Sequence, residues 1–268
     1  MDIGTAKPEP EILARYPHAL VDIIEPEAPY SAGEFIRDAE REIDRIQGDT
    51  RVPLLVGGTM MYFRALISGM AELPPAADAV RAEINEEAGR IGWPALHAEL
   101  AKVDPDAAAK INPNDSQRIQ RALEVCRVSD RTLTEWHRAT PSPRDDYRFL
   151  KFALLPEPRA ALHARIEQRL DAMLQSGFVD EVGRLRERPT LSADHPSMRA
   201  VGYRQIWAHL DGAYDLAEAR NRALAATRQL AKRQITWLRS DADLVTINPL
   251  ETDPVSTISA SLKTELEA

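Results

Sequence analysis

The sequence predicts an α/β fold, a parallel sheet core carrying a helical insertion, on three observations. Two short apolar, β-branched runs, HALVDII (His18 to Ile24) and RVPLLVGG (Arg51 to Gly58), bracket a segment with helical spacing. After ELPPAAD the texture changes, and Ala79 to Val128 is rich in Ala, Glu, Arg and Leu. Strand character then returns at YRFLKFALLP (Tyr147 to Pro156) and at ADLVTINP (Ala242 to Pro249).

The first run is expected to be a buried strand. The helix after it is predicted from Ser31, an N-cap type, through Phe35, Ala39, Ile43 and Ile46 on one face to a stop at Gly48. RVPLLVGG is the second expected strand, and strand, helix, strand most economically closes as a right-handed parallel crossover. Ligands bind beyond the carboxyl ends of such strands, where Gly57, Gly58 and Thr59 fall. Thr59 and the glycine N–H groups then face an anion or a substrate edge, or Thr59 caps the next helix.

The insertion breaks at GWP (Gly92 to Pro94) and NPND (Asn112 to Asp115). NPND opens a helix whose first turns hold Gln117, Arg118, Ile119, Gln120 and Arg121. Basic side chains there oppose the helix dipole, which a polyanion backbone or ion pairs to Glu124 or Asp115 would offset. Further on, Arg165 and Arg169 share one helical face. They suit a diphosphate gripped in bidentate fashion, or pair with Glu157, Glu167 or Asp171. Arg199 and Arg204 flank Gly202 at a turn entering a helix.

Charge is the strongest single signal. The 268 residues carry a formal net charge of -8, yet from Arg220 to Arg239 the basic residues Arg220, Arg222, Arg228, Lys232, Arg233 and Arg239 occur with no Asp or Glu between them. A solvated helix ordinarily interleaves both signs. Leu224, Ala231, Ile235 and Leu238 are its expected buried stripe, so the positive charge projects outward, where a phosphate backbone is the simplest partner. A membrane surface fits less well, because no wide apolar face remains.

A lone cysteine excludes an internal disulfide, and six scattered histidines offer no zinc spacing, so no protein metal site is expected. No apolar run reaches the ~20 residues of a membrane helix, and the start lacks the pattern of a signal peptide. A cytoplasmic monomer is the expectation.

Together MDIGTAKP, YSAGEF, LLVGGTMMYFRAL, the NPND to RALEV block, RIEQRLDAML, MRAVGYRQIW and ATRQLAKRQITWLR resemble the bacterial tRNA dimethylallyltransferases, over nearly the whole chain. The resemblance implies a core like that of P-loop nucleotide kinases, residues 1–70 and 146–268, with a tRNA-binding insertion over 71–145. It implies transfer of a dimethylallyl group from dimethylallyl diphosphate to N6 of the adenine 3′ of the anticodon, with Mg²⁺. Thr59 would line the reaction channel, and Arg169, with Arg165, would hold the diphosphate. The tRNA anticodon stem-loop would meet Arg81, Gln117 to Arg121, the run Arg199, Ala200, Val201, Gly202, Tyr203 and Arg204, and then Arg228, Gln229, Lys232, Arg233 and Gln234. It also implies a G-x-x-x-x-G-K-[ST] loop and a catalytic aspartate ahead of MDIGTAKP. Nothing in residues 1–268 matches that loop. An N-terminally truncated sequence is therefore expected, and a catalytically inactive tRNA-binding fragment is the alternative. A free-nucleotide prenyltransferase would not need the basic helix, and a scaffold leaves it unexplained.

Overall fold

The computed structural model describes residues 1–139 and 147–267. The insertion boundary expected at 145/146 lies outside them. The chain divides into two compact units, residues 1–60 with 148–268, and residues 61–147.

In chain order, α1 (Pro10–Arg15) is followed by α2 (Ala32–Gly48). The predicted cap of α2 is present. Ser31 accepts from the Glu34 N–H while the Glu34 carboxylate accepts from the Ser31 N–H, a reciprocal capping box. Ala39 and Ile43 are buried on the predicted face.

Neither expected strand beside α2 forms. Leu20 and Asp22 take positive φ (61° and 55°), which breaks the extended backbone of HALVDII. Residues 51–57 have no sheet partner, and Val52, Leu54 and Val56 stand 50%, 72% and 84% exposed. Their composition favours a pleated surface, but strand propensity describes fit to a neighbouring strand, and here no neighbour pairs. The sheet among the described residues has two strands. β1 (Phe152–Leu154) lies parallel to β2 (Val245–Ile247), with Phe152 opposite Val245 and Leu154 opposite Ile247. Both fall within runs predicted as strands, so the α/β class with a parallel sheet and a helical insertion holds.

α3 (Met60–Ser68) follows the twin glycines. The second unit then contains α4 (Asp78–Ile91), α5 (Trp93–Val103), α6 (Pro105–Ala108), α7 (Ser116–Ser129) and α8 (Leu133–Arg138). Gly92, at φ 82°, ends α4 and opens α5, and Asp115 caps α7 by accepting from the Arg118 N–H, as GWP and NPND predict. Ile84, Leu96, Leu100 and Ile119 are wholly buried together. Each contributes roughly 1.5–3 kcal/mol by leaving water.

Back in the first unit, after β1, come α9 (Arg159–Gln175), α10 (Phe178–Arg186), α11 (Tyr203–Leu210) and α12 (Leu216–Leu238), and after β2 comes α13 (Pro254–Leu266). Phe178, Val182, Met198, Tyr203, Ile206 and Trp207 build the main core, with Ile3 packed against it. A second cluster, Leu170 with Ala223 and Leu224, joins α9 to α12. At the centre of the main core sits the Glu181 carboxylate, 5% exposed. It accepts from the backbone N–H groups of Asp2 (2.9 Å) and Ile3 (2.7 Å) and from the Tyr203 hydroxyl. Burial pushes its carboxyl up, but the Tyr203 hydroxyl and the N–H groups of residues 2–4 outweigh that and hold it below the ordinary value. The MDIGT segment is thereby tied to α10 and α11.

Candidate nucleic-acid interface

The site is best built from α12. Its buried side is Ala219, Ala223 and Leu224. Ala231, Ile235 and Leu238 of the predicted stripe are only half-buried. The first two turns are neutralised from outside the run. Arg220 donates to Asp171 (2.6 Å) and Glu167 (3.0 Å) of α9, and Arg222 to Glu218 (2.7 Å). The carboxylates of Asp171 and Glu167 hold the Arg220 guanidinium further into its charged form. The all-basic stretch therefore has acidic partners that its own sequence does not contain. Their reach ends at Arg228, whose single bond to Glu167 is long at 3.3 Å. Lys232, Arg233 and Arg239 are exposed and have no ion-pair partner among the described residues.

Against this free end of α12 lies the twin-glycine segment. The Gln234 side-chain amide donates to the Gly58 carbonyl at 2.8 Å. A Cβ on Gly58 would stand 2.5 Å from that amide nitrogen, so a side chain there would push the flexible Gln234 amide aside. Thr59, next in the chain, is exposed.

Arg199 and Arg204 are exposed on either side of Gly202 and Tyr203, which are buried. Gly202 takes φ 94°, and its N–H donates to the Gln205 side chain at 2.8 Å. The inner residues of this turn are packing, and its two arginines are surface, with Ala200 and Val201 half-buried between them. On α9, Arg165 and Arg169 are exposed and have no ion-pair partner among the described residues. The acids that could have paired with them, Glu167 and Asp171, are engaged with α12. Ile166, Leu170 and Met173 turn inward as predicted.

In the second unit the same residue types take a different arrangement. Glu124 of α7 is wholly buried. It accepts from Arg81 (2.9 Å), Arg121 (2.8 Å) and the Ala77 N–H (2.8 Å), and Arg121 also donates to the Pro74 carbonyl (2.7 Å). Burial pushes the Glu124 carboxyl up, and the hydrogen bonds from Arg121, Ala77 and Arg81 more than reverse it, leaving it below the ordinary range. Arg81 and Arg121 are thus directed at a buried carboxylate. Ile119 is core, and Gln120 donates to Asn85 (2.8 Å). Of the run from Gln117 to Arg121, Gln117 and Arg118 are the exposed side chains, with Arg118 3.5 Å from Asp115.

The described residues contain no cluster of three or more His, Cys, Asp or Glu side chains able to hold a metal ion. They do not fit a protein Mg²⁺ cage. No helix is long and apolar enough to cross a membrane.

Sequence reading named Glu124 as an ion-pair partner of the Gln117 to Arg121 run, and it missed that this carboxylate is buried and that Glu181 organises the other core. It also missed Arg159 and His163, which line a groove beside Arg228 and Lys232. Their four-residue spacing was a usable signal. Nothing in the sequence says which helix that face meets.

The family described as IPP transferase matches residues 1–241. A curated relative from Bordetella petrii, named tRNA dimethylallyltransferase, is 54% identical over 252 residues, 93% of this chain and 80% of the relative. The crystal structure of a full-length tRNA isopentenylpyrophosphate transferase from Bacillus halodurans covers the whole chain at 33% identity and a TM-score of 0.67, with 83% of that structure matched. A eukaryotic dimethylallyltransferase solved acting on tRNA shares the fold, with a TM-score of 0.76 at 22% identity over 98% of this chain and 69% of that one.

Proposed function

This chain belongs to the IPP transferase family, and from that we infer that it is a tRNA dimethylallyltransferase. It moves a dimethylallyl group from dimethylallyl diphosphate onto tRNA. The acceptor is N6 of the adenine 3′ of the anticodon. One observation carries the placement of the site. The Gly58 to Gln234 hydrogen bond brings the Thr59 segment against the end of α12 whose cations have no carboxylate.

Transfer breaks the bond between the prenyl carbon and the diphosphate oxygen, forms a carbon–nitrogen bond, and passes the N6 proton to a base, the role that the resemblance gives to an aspartate ahead of MDIGTAKP. Negative charge gathers on the departing diphosphate, and cationic side chains aimed at it favour that change. Arg169 and Arg165, free of carboxylates, suit this role. An adenine stacked in a loop is out of reach, so it must be extruded, at a cost of a few kcal/mol. Thr59 faces the extruded base as a channel residue. Arg199, Arg204, Arg228, Gln229, Lys232, Arg233 and Gln234 bind the anticodon stem-loop. Within the second unit, Gln117 and Arg118 are the side chains of their run left to contact tRNA. Arg81 and Arg121 act there by holding α4 and α7 in place through Glu124. Mg²⁺ would accompany the diphosphate and offset the charge that gathers on it. The protein works as a monomer in the cytoplasm.

The test is incubation of the full chain with labelled dimethylallyl diphosphate and an anticodon stem-loop, with the product nucleoside analysed. Label on N6 of the one adenine is expected, with slower transfer in Thr59→Ala. RNA binding with no label transferred would overturn the enzymatic reading.

A further inference from the structure

We propose that Glu167 of α9 is an internal competitor for Arg228, an acid that limits how tightly α12 holds tRNA and so speeds release of the modified product. The role depends on the tRNA-binding reading of this end of α12, to which it adds a residue that opposes binding.

Glu167 is not needed to neutralise Arg220. Asp171 alone grips that guanidinium twice, at 2.6 Å to Nε and 2.8 Å to a terminal nitrogen. Such a two-pronged pair is the strong geometry for arginine and carboxylate. Glu167 adds a third bond to Arg220 at 3.0 Å with one oxygen and turns the other to Arg228, about two helical turns further along α12. Leu170 packs against Ala223 and Leu224 and holds α9 at the level of α12 where one carboxylate spans both arginines.

The contact to Arg228 is poised to break. It is a single bond of 3.3 Å, and the Arg228 Nε is buried with no hydrogen-bond partner. A buried donor left unpaired is unfavourable, so the guanidinium gains by moving to a better acceptor. The Arg228 and Glu167 side chains are 39% and 43% exposed, which lets an arriving phosphate displace the carboxylate. An RNA that uses Arg228 must therefore take it from Glu167, and the freed carboxylate then faces phosphates of its own sign. Both effects weaken the complex, and such differences appear mostly in the dissociation rate. A transferase whose product differs from its substrate by one prenyl group holds the two nearly alike, so a limit on affinity favours release.

The test is dissociation of a fluorescent anticodon stem-loop from the full chain, wild type against Glu167→Gln, with thermal melts as the folding check. The amide keeps an oxygen for Arg220, which also retains Asp171. A half-exposed pair is weak, so affinity should rise about two- to fivefold, through slower dissociation. In an Arg228→Gln chain the same change should give little gain, whereas Asp171→Asn should lower the melt with a smaller gain. Should Glu167→Gln melt early, Glu167→Asp, which keeps the charge but falls short of Arg228, should still tighten binding. Unchanged or weaker binding by the folded variants, or the full gain persisting without Arg228, overturns the proposal and leaves the transferase reading intact. A wild-type chain that binds no stem-loop overturns that reading, and this role with it.

Discussion

Helices α7 and α12 both carry runs of basic residues, and they direct them oppositely. On α7, Arg121 points at buried Glu124 and Arg127 pairs with Glu87 at 2.7 Å. On α12 the pairing fades along the helix, from two carboxylates on Arg220 to one long contact on Arg228 and, among the described residues, none on Lys232, Arg233 and Arg239. A basic residue therefore signals a nucleic-acid surface only where the tertiary structure brings it no acid. In α7 the charge holds helices together, and in the last half of α12 it remains available.

Breaking the buried knot gives the largest effect. Glu124→Ala leaves two guanidinium groups and the Ala77 N–H facing an empty space, and should cost about 3–5 kcal/mol, read as a lower urea midpoint. RNA affinity measured at a temperature where the variant is folded should change far less. The converse change, Arg228→Gln with Lys232→Gln and Arg233→Gln, should weaken stem-loop binding at least ~10-fold and flatten its salt dependence. Its unfolding free energy should stay within about 0.5 kcal/mol of wild type, as for surface positions. A triple variant that unfolds easily yet binds RNA normally would reverse the contrast between the two helices.

Acid should loosen the two buried carboxylates. Glu124 and Glu181 have folded-state values below the ordinary 4.5. Their stabilisation is fully present above the unfolded value and is lost as pH falls from about 4.5 through the lower folded values. Urea midpoints should drop over that range in wild type and less in Glu124→Gln. The smallest effect is expected at the contact between the glycine segment and α12. Gly58→Ala displaces the flexible Gln234 amide and loses one exposed hydrogen bond, about 1 kcal/mol or less. A reduced transfer rate with an unchanged melt would tie that contact to catalysis.

Much of the fold was legible locally. Ser31 predicts the start of α2, Gly92 the break between α4 and α5, and Asp115 the start of α7, because caps and left-handed glycines act within four residues. The strands at 152–154 and 245–247 also fell within predicted runs. Residues 18–24 and 51–58 misled because apolar, β-branched composition reports a preference for a paired surface, while pairing itself depends on a distant segment.

The sequence by itself determined the family blocks, the ends of α2, the break between α4 and α5, the start of α7, and the stretch of α12 with no acid of its own. Only the tertiary structure decided that Glu167 and Asp171 neutralise the beginning of that stretch, that Arg81 and Arg121 close on Glu124, and that Arg159 and His163 join Arg228 and Lys232. The reason is physical. Backbone periodicity and capping act over a few residues, whereas the partner of a charge is whichever group the folded chain brings within a few ångströms, 43 residues away for Arg81 and 49 to 61 for Arg220 and Arg228.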